Sequence, residues 1–450
     1  MSQVILRSGT KAVVGLGITG LSCVRYLKQQ GYAVEVHDTR QNPPGLASLQ
    51  QEFPDVVVHL GALEPERLLK AEEVVVSPGL SLREPALAAV AAAGIHLVGD
   101  IELFVRAAQA PVIAITGSNA KSTVTTLVGA MAAHAGKRVA VGGNLGVPAL
   151  ELLQQEGVDL YVLELSSFQL ETTHSLKARV ATILNLSEDH LDRYDGMSAY
   201  HQAKQRIYRQ CQAAVFNRDD ALTPPLLPAS VPVSGFGLGQ PDLGQWGIRT
   251  EQGIRYLALG IKCLMPVKEL PLMGDHNVAN ALAALALGYQ AGLPIPAMLE
   301  VLKTFRGLEH RCQHVREVDA VNYYDDSKGT NVGATVAAIE GLGSTIAGKL
   351  IVILGGVGKG QNFKPLHDPL ARYARAVVLM GIDAAAIASC LPKGLAYHHV
   401  DSMALAVNTA RSMAVAEDVV LLSPACASFD MFTDYHDRGR QFVKAVEALA

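Results

Sequence analysis

Short runs rich in β-branched residues recur along this chain, and most are apolar at every position rather than at alternate ones. "KAVVGLG" (11–17), "YAVEVHD" (32–38), "EEVVVSPG" (72–79) and "GIHLVGD" (94–100) are the first four. Runs of this kind suit strands buried on both faces, as in a parallel sheet covered by helices. Alanine- and leucine-rich helical stretches separate them, and the alternation predicts a doubly wound α/β sheet. The pattern then restarts twice. A second block opens near Asp100 with "IELFVRAA" and enters "PVIAITG"; "KRVAVGGNLG", "DLYVLELSS", "VATILNLS" and "AAVFNRDD" follow as further strands, so its sheet is larger. A Pro/Gly-rich region from about Thr223 to Gly253 favours turns and short antiparallel strands over helices. A long helical stretch after Asn277 closes the block. A third begins near Leu308, with "VNYYDDS", "KLIVILGG", "AVVLMG" and "DVVLLSP" as strands. The expected domains are 1–98, 99–307 and 308–450. Three sheets in one chain suggest an enzyme whose site lies between domains.

Composition narrows the ligands. Lys plus Arg number 38 and Asp plus Glu 42, for a net charge of −4. That leaves no electrostatic footprint for nucleic acid or an anionic membrane. Any anionic ligand must be held by a local cluster of cations and backbone amides. The six cysteines are scattered without a C-x-x-C, so they signal neither a disulfide framework nor a zinc site. They read as buried small apolar residues in a reducing compartment. The start, "MSQVILRSGTKAVVGLG", has no basic region followed by a long apolar run and is not expected to be a signal peptide. The stretch between Asp275 and Glu300 lacks formal charge but contains two Asn, a Gln, Gly and two Pro, and reads as a buried helix plus a turn rather than a membrane span. The expected location is the cytoplasm.

Several short motifs carry chemistry. At 115–126, "ITGSNAKSTVTT" follows an apolar run and precedes a helical one. A strand running into a helix offers unpaired N–H groups at the positive end of the macrodipole, where phosphate binds. Lys121 would neutralise β- and γ-phosphate oxygens, and Ser122 would face Mg²⁺. The usual loop has a second glycine just before the lysine; here that place is taken by Ala120. Glu164, in "LYVLELSSFQLE", ends an apolar strand and would suit a metal in the crevice at the strand ends. His190, in "LNLSEDHLDRY", reads alone as either a metal ligand or a loop histidine. Lys204, in "AYHQAKQRIY", reads alone as a solvated helix lysine or the partner of an acid such as Glu164. "GLGITG" (Gly15, Gly17, Gly20) is a weak dinucleotide fingerprint, with Asp38 about twenty residues on as that fingerprint requires. By itself it would suggest an NAD-dependent oxidoreductase, just as "GSNAKST" alone would suit a non-enzymatic nucleotide switch.

The succession of "TGSNAKST", "LELSSFQLE", "NLSEDHLDRY", "YHQAKQRIY", "GDHNVANALAA" and "FRGLEHR" resembles the Mur ligase family of ATP-dependent amide-forming enzymes, over essentially the whole chain. That family's phosphate loop is T-G-[ST]-N-G-K-[ST], matched here except at Ala120. If the position needs positive φ, alanine costs about 1–2 kcal/mol; at ordinary φ nothing is lost. The resemblance implies a Rossmann-like N-terminal domain, a central P-loop ATPase-type domain with the larger sheet, and a Rossmann-like C-terminal domain.

It also implies sites. ATP would meet Gly117, Ser118, Asn119, Ala120, Lys121, Ser122 and Thr123, with Asn277 and Asn280 on the adenine side and Arg311 and Asp326 reaching in from the last domain. Two Mg²⁺ ions would be held, one by Ser122 and Glu164, the other by His190 and a carbamylated Lys204. Lys121, His190 and Lys204 would be the catalytic residues. A UDP-linked substrate would lie on Gly15, Gly17, Thr19, Gly20, Asp38, Thr39, Arg40, Ser77, Pro78, Gly79 and Asn144, the glycine turn cradling its diphosphate and Asp38 and Thr39 near the uracil. Lys328, Thr330, Lys359, Ser428 and Tyr435 match positions that hold D-glutamate, Tyr435 standing where phenylalanine is common. Val357 replaces an acid seen in some members and is given no role.

Within the family, "VVGLGITGLS", "VHDTR", "VVSPGL", "YYDDSKGTN", "LGGVGKGQNF" and "LLSPACASFDMF" resemble the branch that joins D-glutamate to UDP-N-acetylmuramoyl-L-alanine for peptidoglycan synthesis. The D-N-P-R motif of the branch adding meso-diaminopimelate is absent. Folylpolyglutamate synthase, a closer competitor, lacks the UDP-binding first domain that this chain has. Small-molecule substrates, no nucleic-acid or membrane partner and a monomer are expected.

Overall fold

The computed structural model describes residues 9–272 and 274–449. The signal-peptide reading of the first eight residues therefore lies outside the described residues. The first sheet has the spatial order Val57–Leu60, Ala33–Asp38, Thr10–Val14, Glu73–Val76, His96–Val98. Every pairing in it is parallel. The order reverses between Thr10–Val14 and Glu73–Val76, so the turns after these strands open a crevice at their carboxyl ends. The turn at Gly15 leads into helix Ile18–Gln29. A Cβ on Gly20 would collide with the Gly15 carbonyl oxygen, so glycine is what lets this helix start pack against the turn.

The second sheet runs Lys262–Pro266, Ile254–Leu259, Trp246–Glu251, Val233–Phe236, Ala214–Asn217, Val180–Ile183, Val112–Thr116, Leu160–Glu164, Val139–Gly143. Strand Val233–Phe236, in the region expected to be antiparallel, pairs parallel with Ala214–Asn217. Residues 218–232 supply the long crossover that a parallel pair needs. Antiparallel pairing begins only at Trp246–Glu251 with Ile254–Leu259. Helix Lys121–His134 packs against Asp275–Gln290 and Ile295–Thr304. Helix Asp275–Gln290 starts two residues before the expected Asn277 and buries Val278 and all of Ala281–Gly288. Among the described residues, no helix is long and apolar enough to cross a membrane.

The third sheet has the order Gln313–Val318, Val321–Asp325, Val419–Leu422, Leu350–Gly355, Ala374–Met380, Ala396–His399. Only its first pair is antiparallel. Val57–Leu60, Gln313–Val318 and Ala396–His399 are edge strands absent from the sequence reading. The last of these is exposed along its whole length, so it has no apolar run to betray it.

The cores tie the domains together unequally. One core contains Leu27 of the first domain with Phe104 and Tyr161, whose rings meet edge to face at 4.9 Å. The two cores on the third sheet consist of residues from Cys312 onward. Between the second and third sheets lies a cleft, where most of the candidate ATP, metal and amino-acid residues stand.

Candidate active site

Strand Val112–Thr116 delivers the phosphate loop, and helix Lys121–His134 leaves it. Ala120 is left-handed, at φ 64° and ψ −3°, so the position does need positive φ and alanine there is strained by about 1–2 kcal/mol. Surrounding contacts hold the strain. Asn185 accepts from the Ser118 amide through its carbonyl at 2.9 Å and from the Asn119 amide through its side chain at 2.8 Å. Lys121 Nζ donates to the carbonyls of Gly117 and Ser118 at 2.8 and 2.9 Å. His190 (φ 55°) and Lys359 (φ 53°) are left-handed non-glycine residues in the same cleft. Such strain persists only where the surroundings over-determine it.

Third-domain residues close on the loop. Arg311 Nη2 donates to Ser122 Oγ at 2.6 Å. The Asn119 and Asn331 amides bond reciprocally, at 2.9 and 3.2 Å. Asn331 also caps helix Val332–Gly343 by accepting from the Ala334 amide at 2.9 Å. Asn331 closes the motif "YYDDSKGTN" with no role expected of it there, since its partner lies 212 positions away.

Two adjoining cavities flank the loop. The first, of about 350 Å³, is lined by Asn119, Ala120, Thr123, Asn277, Asn280, Arg311 and Asp326 together with apolar Leu184 and Phe236. The second, of about 320 Å³, is lined by Ser118, Lys121, Ser122, Glu164, His190 and Lys204, and by Lys328, Thr330, Lys359, Ser428 and Tyr435. The structure thus gathers the expected metal set and the expected amino-acid set into one space. Gly117 lines neither cavity.

A third cavity, of about 560 Å³, opens at the switch point of the first sheet. Gly15, Gly17, Thr19, Asp38, Thr39, Arg40, Ser77, Pro78, Gly79 and Asn144 line it. Gly20 does not, and acts through helix packing instead. Asp38 accepts from the Leu16 amide at 2.6 Å and from the Arg40 amide and guanidinium at 2.7–2.9 Å. Burial pushes this carboxyl up, but the Arg40 guanidinium and the two amides more than reverse that and hold it down at about 2. Asn144 also lines the second cavity, and its Nδ2 donates to Glu164 Oε1 at 2.7 Å.

The electrostatics are lopsided. Burial pushes the ammonium groups of Lys121 and Lys204 below their ordinary range, Lys204 by the wider margin. Burial, followed by Arg311 and Lys121, brings Lys328 down to about 8. Burial lowers Arg311 also. Lys204 Nζ donates to Gly117 O at 2.9 Å and to Thr116 Oγ1 at 3.2 Å. Neither partner is a carboxylate, so the pairing with Glu164 weighed from sequence does not form. Burial pushes the Asp189 carboxyl up, yet Lys359, His190 and Lys121 together hold it below the usual carboxylate range. Lys359 Nζ lies 3.5 Å from Asp189 Oδ1. Burial takes His190 down to about 4 against the pull of Asp189, so the imidazole is neutral and able to ligate. Burial lifts Asp326 to about 7, opposed by the Ser423 hydroxyl and Arg311.

Glu164 Oε2 is buried without a hydrogen-bond partner among the described residues. An orphaned carboxylate oxygen beside a hydroxyl and a phosphate loop fits a hard cation such as Mg²⁺. Lys328 Nζ sits 4.0 Å from the Tyr435 ring centroid, a cation–π contact that needs the aromatic face and not the hydroxyl. Tyr435 therefore supplies what phenylalanine would. Asp189, beside His190 in "NLSEDHLDRY", is a cleft residue that the motif alone does not single out.

The Mur ligase MurD-like N-terminal domain matches residues 9–99, the Mur ligase middle domain residues 115–288, and the Mur ligase glutamate ligase domain residues 310–426. The chain belongs to the Mur ligase family. This Mur ligase is 59% identical over 440 residues to the UDP-N-acetylmuramoylalanine–D-glutamate ligase of Pseudomonas fluorescens (strain Pf0-1), covering 98% of each chain. It is 55% identical to the Acinetobacter baylyi protein of the same name, covering 99% of this chain and 100% of that one. Among solved structures, UDP-N-acetylmuramate-alanine ligase MurC from Thermotoga maritima superposes with a TM-score of 0.59 at 19% identity, covering 98% of this chain and 99% of that one. A pseudomurein peptide ligase type C from Methanothermus fervidus gives 0.61 at 18% identity, with the same coverage of both chains. These two show a shared fold.

The left-handed alanine has a measurable consequence. Ala120→Gly removes the strain but returns about 0.4–1 kcal/mol through the freer unfolded chain. Stability should therefore rise by up to about 1.6 kcal/mol, read as a higher urea midpoint at unchanged slope. Ala120→Val, β-branched at positive φ, should lower the midpoint. A lower midpoint for Ala120→Gly would contradict the left-handed assignment.

Proposed function

We propose that this Mur ligase joins the amine of D-glutamate to the L-alanine carboxylate of UDP-N-acetylmuramoyl-L-alanine, cleaving ATP to ADP and phosphate, in peptidoglycan precursor synthesis. The observation that carries the proposal is the Asn144–Glu164 bond, which joins the cavity on the glycine turn to the cation-lined cavity beside the phosphate loop. A UDP-linked substrate seated in the first would present its far end to the second. The full-length likeness to relatives named for that reaction supports the choice of substrates. On this reading residues 1–98 take the UDP substrate, 99–307 take ATP and 308–450 take the amino acid, in a cytoplasmic monomer.

A carboxylate is a poor acyl donor because it would have to expel oxide. Its oxygen attacks the γ-phosphorus, ADP leaves, and the resulting acyl phosphate carries a good leaving group. The D-glutamate amine then attacks the carbonyl carbon, and the tetrahedral intermediate collapses with loss of phosphate. Such transfers depend on positioning and charge stabilisation. Loop amides and Lys121 hold the β- and γ-oxygens, while Asn277 and Asn280 face the adenine. Arg311 reaches the same phosphates from the third domain. Phosphate oxygens would compete for its guanidinium and free the Ser122 hydroxyl to which it now donates. Two Mg²⁺ ions, one on Ser122 and Glu164 and one on His190 and a carbamylated Lys204, would neutralise charge on the transferring group. Lys328, Lys359, Thr330 and Ser428 would hold the carboxylates of D-glutamate, with Tyr435 backing Lys328.

Two features of Lys204 support the carbamate. Its amine is buried beside Lys121, which favours the neutral form that adds to carbon dioxide. A bare ammonium beside Mg²⁺ would be repelled, whereas a carbamate supplies the hard oxygens that Mg²⁺ prefers.

Phosphate release should require both the UDP substrate and D-glutamate in a coupled assay. Equal turnover with L-glutamate or meso-diaminopimelate would contradict the assignment. Lys204→Ala should lose activity by about 100–1,000-fold, the scale for removing a group that organises transition-state charge, and added formate or acetate should restore part of it. Wild-type rates for Lys204→Ala in carbon-dioxide-free buffer would overturn the carbamate.

A further inference from the structure

We propose that Glu35, His37 and His59 form a binding site for a divalent transition-metal ion of the zinc class, on the first sheet and apart from the ligase cleft. Strand alternation sets two of the donors on one face: Val34 and Val36 enter the core on the opposite side, so Glu35 and His37 point away from it. The third arrives by register, since His37 pairs directly with His59 of the edge strand Val57–Leu60. The imidazole rings lie 4.7 Å apart. Glu35 Oε2 is 3.9 Å from His37 Nε2 and 3.8 Å from His59 Nε2, and one donor atom from each of the three residues can be taken with all of them within 4.8 Å of one another. Bonds of about 2.0–2.2 Å at tetrahedral angles place donors roughly 3.3–3.5 Å apart. Glu35 is within about half an ångström of that spacing from both imidazole nitrogens, and adjustment of the partly exposed His59 ring closes the remaining gap between the two imidazoles.

A second observation points to a ligand. His37 is 2% exposed, and its Nε2 is buried with no hydrogen-bond partner among the described residues. Buried polar nitrogens are ordinarily satisfied; this one is aimed at the other two donors. Arg67 is the unfavourable charge nearby, but its Nε is engaged by Glu64 Oε2 at 2.8 Å. Two imidazoles and a carboxylate favour Zn²⁺ and its neighbours over Mg²⁺. Such an ion would brace the strand ends beside the UDP cavity, because His37 adjoins Asp38 and the Gly61 amide donates to the Asp38 carbonyl at 2.9 Å.

The test is Co²⁺ titration of the full chain, stripped with chelator and held in excess Mg²⁺, followed by Zn²⁺ displacement. Expected are one saturable equivalent with the visible bands of tetrahedral Co²⁺, no thiolate charge-transfer band, and loss of the bands on adding Zn²⁺. His59→Gln, at a partly exposed position, should weaken this binding about 100-fold or more, since even outer-shell changes cost about 10–100-fold. Glu35→Gln, on a more exposed side chain, should weaken it in the same direction and stands in should His59→Gln fail to fold. No saturable Co²⁺ binding, or binding with the same affinity and spectrum in a folded variant, overturns the site. The readout is independent of ligase turnover, so failure here leaves the proposed reaction untouched.

Discussion

Cations held where water solvates them poorly are the constraint on which the cleft depends. Lys121, Lys204, Arg311 and Lys328 are all driven toward deprotonation by burial. Glu164 and Asp189 stand among them, and Asp326 is itself pushed toward neutrality. Like charges crowded in a medium of low dielectric repel one another, and a polyphosphate bound among them would remove the repulsion. No single domain provides this field. Lys121 and Lys204 come from the second domain, and Arg311, Lys328 and Lys359 from the third. Anion binding would therefore strengthen the contact between these domains.

The division between apolar and polar cohesion follows the same logic. The first two domains share a hydrophobic core, which fixes the glycine-turn cavity relative to the phosphate loop. The third domain builds its own cores and meets the loop through Arg311–Ser122, Asn119–Asn331 and Lys359–Asp189. Polar contacts of this kind exchange with water at a net cost of only about 0.5–1.5 kcal/mol for an ordinary hydrogen bond. The substrate carboxylate would thus be presented by a rigid unit and the amino acid by one whose docking the ligand itself can strengthen.

Central parallel strands were readable from the chain because burial on both faces leaves an unbroken apolar run. Edge strands were not: Ala396–His399 faces solvent along its length, and such positions carry no pattern. The direction of Val233–Phe236 was hidden because its composition reports turns, while parallel pairing depends on where the crossover returns. Site residues in the glycine turn and phosphate loop were legible because backbone geometry there demands particular residue types. Asp189 and Asn331 emerged only from proximity across the cleft. The same limit hid Glu35, His37 and His59, since nothing in one strand announces which residue its neighbour will place alongside.

Calorimetry on Lys121→Ala tests the separation of the two ligand sites most directly. The folded variant should fail to form acyl phosphate from ATP, yet bind UDP-N-acetylmuramoyl-L-alanine within about twofold of wild type, because Lys121 does not line the glycine-turn cavity. A folded variant that loses both in equal measure would contradict a cleft in which the glycine turn holds one substrate and the buried cations hold the other.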